Sequence, residues 1–170
     1  MKGTSPIVVP NSGIAIFSAC NRYRFELHRR LRVDSFADRG ILWVMLNPST
    51  ADASKSDPTV TRCMTFSAKW GYPRFMVGNA YALRSTDPKG LWEVPDPVGR
   101  GNDAHIRSMG IRADLVMVAW GGNIKPERAR KVLDVLALLG PVHALRVNAD
   151  GTPAHPLYLP SNLEPVEYVA

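Results

Sequence analysis

Asparagine stands at three places where the surrounding residues are otherwise apolar or turn-forming. Asn47 closes the run Ile41-Leu42-Trp43-Val44-Met45-Leu46, Asn79 lies inside Phe75–Tyr81, and Asn123 follows Gly121-Gly122. A side-chain amide carries a carbonyl acceptor and an NH2 donor in one plane, which matches the amide-like edge of a nucleobase. It also holds a water beside a reacting centre without introducing negative charge. His155 lies between Pro153 and Pro156, whose rings restrict the backbone and make the imidazole's position reproducible. A ring held there can donate to a carbonyl oxygen that gains charge as a base departs. Trp120, just before Gly121, offers a flat stacking face, as do Trp70, Tyr81 and Trp92. Thr50, Lys55, Arg62, Arg84 and Thr86 flank these positions and suit phosphate through charge-assisted hydrogen bonds. Each residue also has a structural explanation: asparagines close turns, Trp120 packs in a core, the cations are solvated, and Asp57 caps a helix.

Elements that alternate between strand and helix must position these side chains. Ile14–Phe17 and Tyr23–Leu27 are predicted as a hairpin around a turn-prone spacer. The unbroken apolar run 41–46 suits a strand buried on both faces. Asp57-Pro58 supplies an N-cap and a first-turn proline, and Val60, Cys63, Met64, Ser67 and Trp70 continue at helical spacing, which predicts a helix over about 58–70. Residues 75–81 follow as the next buried strand. After a proline- and glycine-rich connector come a helix over 102–112, a strand over 114–120 and an amphipathic helix from Pro126 that Gly140 stops. Val142–Val147 is a fourth strand, and His155–Pro160 is too rich in proline to be anything but a loop. Residues 1–13 read as a loose N-terminal arm. Ligands in such folds sit at the carboxyl ends of the strands, where Asn47, Asn79, Asn123 and the His155 loop fall.

At 170 residues the chain fits a single domain. Its formal charge of +6 permits a polyanionic partner. Much of that charge lies early, in Arg22, Arg24, His28, Arg29, Arg30 and Arg32, with acids only at Glu26 and Asp34; the stretch is either a solvated face or a phosphate-contacting edge. The two cysteines, Cys20 and Cys63, are too few for a disulfide framework and lack metal-ligand spacing, so both are expected as buried thiols. No metal or cofactor is expected. With no apolar run near ~20 residues and no signal-like N-terminus, a cytoplasmic protein without membrane association is expected.

The segments Val44–Asp52, Asp57-Pro58-Thr59, Asn79–Pro88, Trp120-Gly121 and His155–Leu159 resemble the bacterial and phage domain-of-unknown-function family 1643 from about residue 14 to 160. A more distant similarity is to uracil-DNA glycosylases. Leu46-Asn47-Pro48 resembles their water-positioning motif, Asn79 in Gly78-Asn79-Ala80 their base-reading asparagine, and His155-Pro156 the late loop that steadies the leaving base. Ser49 and Leu157 depart from the glycine and serine usual in those motifs, and no carboxylate occupies position 47. The resemblance implies a three-layer α/β sandwich with a central, mostly parallel four-stranded sheet plus the N-terminal hairpin. It also implies a DNA-glycosylase-like hydrolase that cleaves the N-glycosidic bond of a modified or deaminated base in DNA or a nucleotide, in DNA repair or modification. Asn47 and His155 would be catalytic, Asn79 and Trp120 would bind the base, and DNA or a nucleotide would be the partner. The alternatives are a non-catalytic nucleotide or nucleic-acid binding module and an enzyme of modified-nucleotide metabolism.

Overall fold

The computed structural model describes residues 13–33 and 37–170; most of the expected N-terminal arm, residues 1–12, and Asp34 of the early charged stretch lie outside the described residues. Seven strands form one mixed sheet in the order β1-β2-β4-β3-β5-β6-β7. They are β1 (Ile14–Phe17), β2 (Arg24–Arg30), β3 (Gly40–Met45), β4 (Arg74–Asn79), β5 (Leu115–Val118), β6 (His143–Ala144) and β7 (Val166–Glu167). β3 pairs in parallel with β4 and β5, and β5 with β6. The hairpin β1–β2 joins β4 antiparallel, and β7 joins β6 antiparallel at the other edge. The sheet therefore has seven strands rather than the expected four, because the hairpin is hydrogen-bonded into it and a C-terminal strand is added.

Three helices connect and cover the strands: α1 (Pro58–Lys69), α2 (Asn102–Ile111) and α3 (Pro126–Ala137). Alternate residues of β3 serve two separate cores, as expected of a strand that is apolar at every position. Ile41, Trp43 and Met45 pack with Val60, Cys63 and Phe66 of α1, whereas Leu42 and Val44 pack with Ile106 and Met109 of α2 and Val132 and Leu136 of α3. Gly78 lets α2 lie close to β4, since a Cβ there would come within 2.8 Å of Met109.

The fourth expected strand is cut to two residues. Beyond Ala144 the chain leaves the sheet, and Val147 instead bridges Pro153. Cys63 is buried, but Cys20 is exposed in the β1–β2 turn, which corrects the expectation of two buried thiols: a turn of polar residues provides no core.

The ladder of β2 is irregular at one point. Ile16 opposes Glu26 while the next residue, Phe17, opposes Arg24, so β2 carries one extra residue, a β-bulge. Bulges re-aim side chains and gather next to functional sites. Phe25 stacks on His105 of α2 at 4.7 Å and Glu26 bonds the same histidine. The consecutive residues Phe25 and Glu26 thus both meet α2, and Arg24 is turned to the α1 side.

Candidate active site

A cavity of about 550 Å³ opens where β3, β4 and β5 end, beside the start of α1. Its wall includes Arg24, Asn47, Thr50, Asp57, Asn79, Thr86, Trp120, Asn123 and His155. Side chains separated by more than a hundred residues in the sequence thus share one concavity. Its volume falls in the range of ~300–1,000 Å³ that small-molecule sites occupy.

Backbone ties fix the rim. Ala80 and Tyr81 donate to Met45 and Leu46, and Ser85 donates to the Pro48 carbonyl at 2.9 Å. Asn47 reinforces this latch, since its Nδ2 donates to Ser85 O at 2.8 Å and Pro48 O at 3.1 Å. With the amide nitrogen so engaged, the group Asn47 offers a ligand is its carbonyl oxygen, an acceptor suited to a water.

Asn79 closes β4 opposite Met45. Its backbone carbonyl takes a bond from Asn102 Nδ2 at 2.8 Å, which holds the main chain. Its own side chain is 1% exposed and Nδ2 has no hydrogen-bond partner. Trp120, 2% exposed, likewise has an indole N–H without a partner. Buried donors are almost always satisfied, and one left unmade costs roughly 1–3 kcal/mol. These two lie on the wall of one cavity, within which a ligand's acceptors could meet them; Trp70 Nε1 and Arg62 Nε, off that wall, are likewise unpartnered. Trp120 is also part of the core between the sheet and α2/α3, so its packing and its place on the wall coexist. Gly121 then turns the chain at φ +71°, a left-handed conformation glycine adopts without strain, and its N–H bonds Pro153 O at 3.0 Å, which brings the His155 loop against the strand end.

His155 stands at the mouth. The Leu157 backbone N–H donates to His155 Nδ1 at 3.3 Å, so the neutral ring carries its proton on Nε2 and presents a donor. Loss of solvation pushes this imidazole below its ordinary pKa, with the Asp57 carboxylate opposing the shift. At neutral pH the ring is uncharged. Tyr158, three residues farther, is 94% exposed at φ +69°, a conformation rare for an aromatic residue.

Asp57 uses Oδ1 to cap α1, accepting from Val60 N at 2.8 Å, as its position before Pro58 predicts. It also lines the cavity, the nearest thing there to the carboxylate missing at position 47. Asp52, in contrast, spends its Oδ1 on Ser54 and Lys55 within its own turn.

The expected phosphate ligands divide. Thr50 and Thr86 line the cavity. Lys55, Arg62 and Arg84 are not on its wall. Arg62 lies over the Phe66 ring at 4.8 Å and donates to Leu159 O, clamping the His155 loop to α1. Arg84 covers Phe17 at 5.0 Å and donates to Asn21 O, and the Lys55 carbonyl accepts from Arg29 at 3.1 Å.

The basic residue in the cavity is Arg24, whose membership of the early charged stretch was the signal available in the sequence. It is 2% exposed, donates from Nη1 to Ala51 O at 2.6 Å, and leaves Nε without a partner. Burial pulls its pKa down to about 10, an effect Asp57 opposes; the side chain stays charged. Among the described residues no group of three or more histidine, cysteine or acidic side chains is placed to hold a metal, and no helix is long and apolar enough to cross a membrane.

The chain matches, over residues 24–157, the family described as protein of unknown function (DUF1643), and it belongs to that family. No curated protein and no solved structure matches it.

Proposed function

We propose that this family member recognises a nucleobase in the cavity and hydrolyses the N-glycosidic bond that joins it to a sugar, in DNA or in a nucleotide. The observation that carries the reading is the unpartnered, buried amide nitrogen of Asn79 on the wall of the same cavity as the Nε2 donor of His155. Asn79 and the Trp120 indole N–H give a base two donors for its carbonyl or ring-nitrogen acceptors. Asn47, its nitrogen held by Ser85 and Pro48, turns a carbonyl oxygen to a water. Asp57, with Oδ1 committed to the helix cap, supplies its second oxygen to help draw a proton from that water.

Hydrolysis breaks the bond between the sugar's anomeric carbon and the base nitrogen. The electron pair leaves with the base, the water oxygen bonds to the anomeric carbon, and the water's proton passes to the surroundings through Asp57. His155 steadies the charge growing on the base by donating from Nε2, an effect that mutation of comparable donors puts at about 10²–10³ in rate. A neutral donor suits this role, because it stabilises a departing anion without needing to transfer a proton. A duplex substrate would have to extrude its base to reach the cavity.

The test is mass spectrometry of base release from a panel of deaminated and modified oligonucleotides and nucleotides. The expected result is release from at least one, abolished by Asn47→Ala. Release from none, or activity indifferent to that substitution, sinks the reading. Binding without turnover would select the alternative of a nucleotide-binding module, which the amide at position 47 in place of a carboxylate favours.

A further inference from the structure

We propose that Arg24 forms an anion subsite in the inner wall of the cavity, and that the substrate is a nucleoside monophosphate rather than a base within a polymer. This rests on the nucleobase reading and narrows it.

Buried charges in proteins are paired, since removing an ion from water without a partner costs several kcal/mol. The other buried arginines are more fully engaged, one by an ion pair and one by three carbonyls. Arg128 donates from Nε to Ala80 O at 2.7 Å and from Nη2 to Asp103 Oδ1 at 2.6 Å. Arg29 is spread over the carbonyls of His28, Asp52 and Lys55. Arg24 has a single carbonyl partner and an idle Nε, and among the described residues no carboxylate lies within ion-pair distance of it. The bulge in β2 is what puts this cation on the cavity side of the sheet. An anionic ligand would complete it.

The start of α1 adds to the same wall through Pro58 and Thr59. The Thr59 N–H belongs to a first turn without intrahelical partners, at the positive end of a helix of 12 residues. Asp57 is the opposing charge there. Its Oδ1 is held by Val60, and without an ion pair to Arg24 its field partly offsets the burial that lowers that guanidinium's pKa.

Depth selects the kind of anion. Arg24 sits in the wall at 2% exposure, and a phosphodiester flanked by further nucleotides would have to bring its neighbours along. A terminal phosphate does not, and about 550 Å³ leaves room for sugar and phosphate beside a base. Thr50 and Thr86, also on the wall, add hydroxyl donors.

Calorimetry on the full chain with uridine, deoxyuridine, cytidine, adenosine and guanosine, each against its 5′-monophosphate, decides the matter. At least one monophosphate should bind about 10–100-fold more tightly than its nucleoside, and Arg24→Gln should erase that ratio while leaving nucleoside affinity within about twofold. Arg24 also ties down Ala51, so Arg24→Gln must be shown folded by circular dichroism. Independently of any variant, inorganic phosphate should compete with the monophosphate on the wild-type protein. A ratio near one, a ratio that survives in folded Arg24→Gln, or no competition by phosphate overturns the subsite. Asn79-dependent nucleoside binding with no phosphate preference would overturn the subsite and leave the nucleobase reading intact. A phosphate preference indifferent to the base and to Asn79→Ala would do the reverse.

Discussion

Two polar regions flank β2, and they are built on opposite terms. On the α2 side Glu26 is buried yet fully engaged: His105 Nδ1 and His28 Nε2 lie at 2.6 Å and Arg112 Nη2 at 3.3 Å. At the cavity Arg24, Asn79 and Trp120 are as deeply buried and each keeps a polar atom without a partner. Matched charges rigidify a structure, whereas unmatched donors are tolerated where a ligand will meet them. On the proposed reading, the difference separates residues that hold the fold from residues that meet a ligand.

The contrast yields graded expectations. His155→Ala and Asn79→Ala should each lower the rate of base release by about 10²–10³, with the urea midpoint nearly unchanged, since neither donor supports the fold. On the matched side the pattern should invert. Arg128→Met removes the ion pair with Asp103 and the short hydrogen bond to the Ala80 carbonyl, leaving that carbonyl only the 3.3 Å bond from Asn102, and should cost about 2–3 kcal/mol in urea unfolding, with ligand affinity unaltered. If Arg128→Met reduced binding while sparing stability, the division would be meaningless.

Glu26→Gln should be milder, about 1–2 kcal/mol, and should change the pH profile. Burial pushes the Glu26 carboxyl up, but the hydrogen bonds from His105 and His28 outweigh it and leave its pKa below the ordinary 4.5. A lowered folded value means that the carboxylate's contribution is present above pH 4.5 and drains away as the pH falls from there through the folded pKa. Urea denaturation across that acid range should show the slope in the wild type and a flatter curve in Glu26→Gln. The smallest effect concerns His155. Its imidazole should titrate below 6.5 by NMR, and Asp57→Asn should move it lower still, because Asp57 opposes the loss of solvation that depresses it.

Much of this architecture could be read from local pattern. Ile41–Leu46 announced a strand with two buried faces, and Asp57-Pro58 announced both a helix start and the cap that Val60 completes. The strand-end rule led to Asn47, Asn79, Trp120 and His155, and these do share one cavity. What local pattern misses is pairing. β7 consists of two exposed residues defined by their bonds to β6, and periodicity says nothing about them. Arg62 has the composition of a phosphate ligand, but its guanidinium lies over Phe66 and donates to the Leu159 carbonyl off the cavity wall, an arrangement set by a partner 97 positions away. Arg24 was hidden in a run of basic residues because alternation fixes which face a strand residue occupies only when the ladder is regular.

The bulge carries that last point further. Were β2 to alternate regularly through positions 24–26, Arg24 would share the face of Glu26 and sit beneath α2; the bulge sends its guanidinium to the cavity instead. Straightening that one irregularity would keep every polar group of the pocket by name and still relocate its cation, so the charge of this wall is set by backbone pairing as much as by which residues the chain contains.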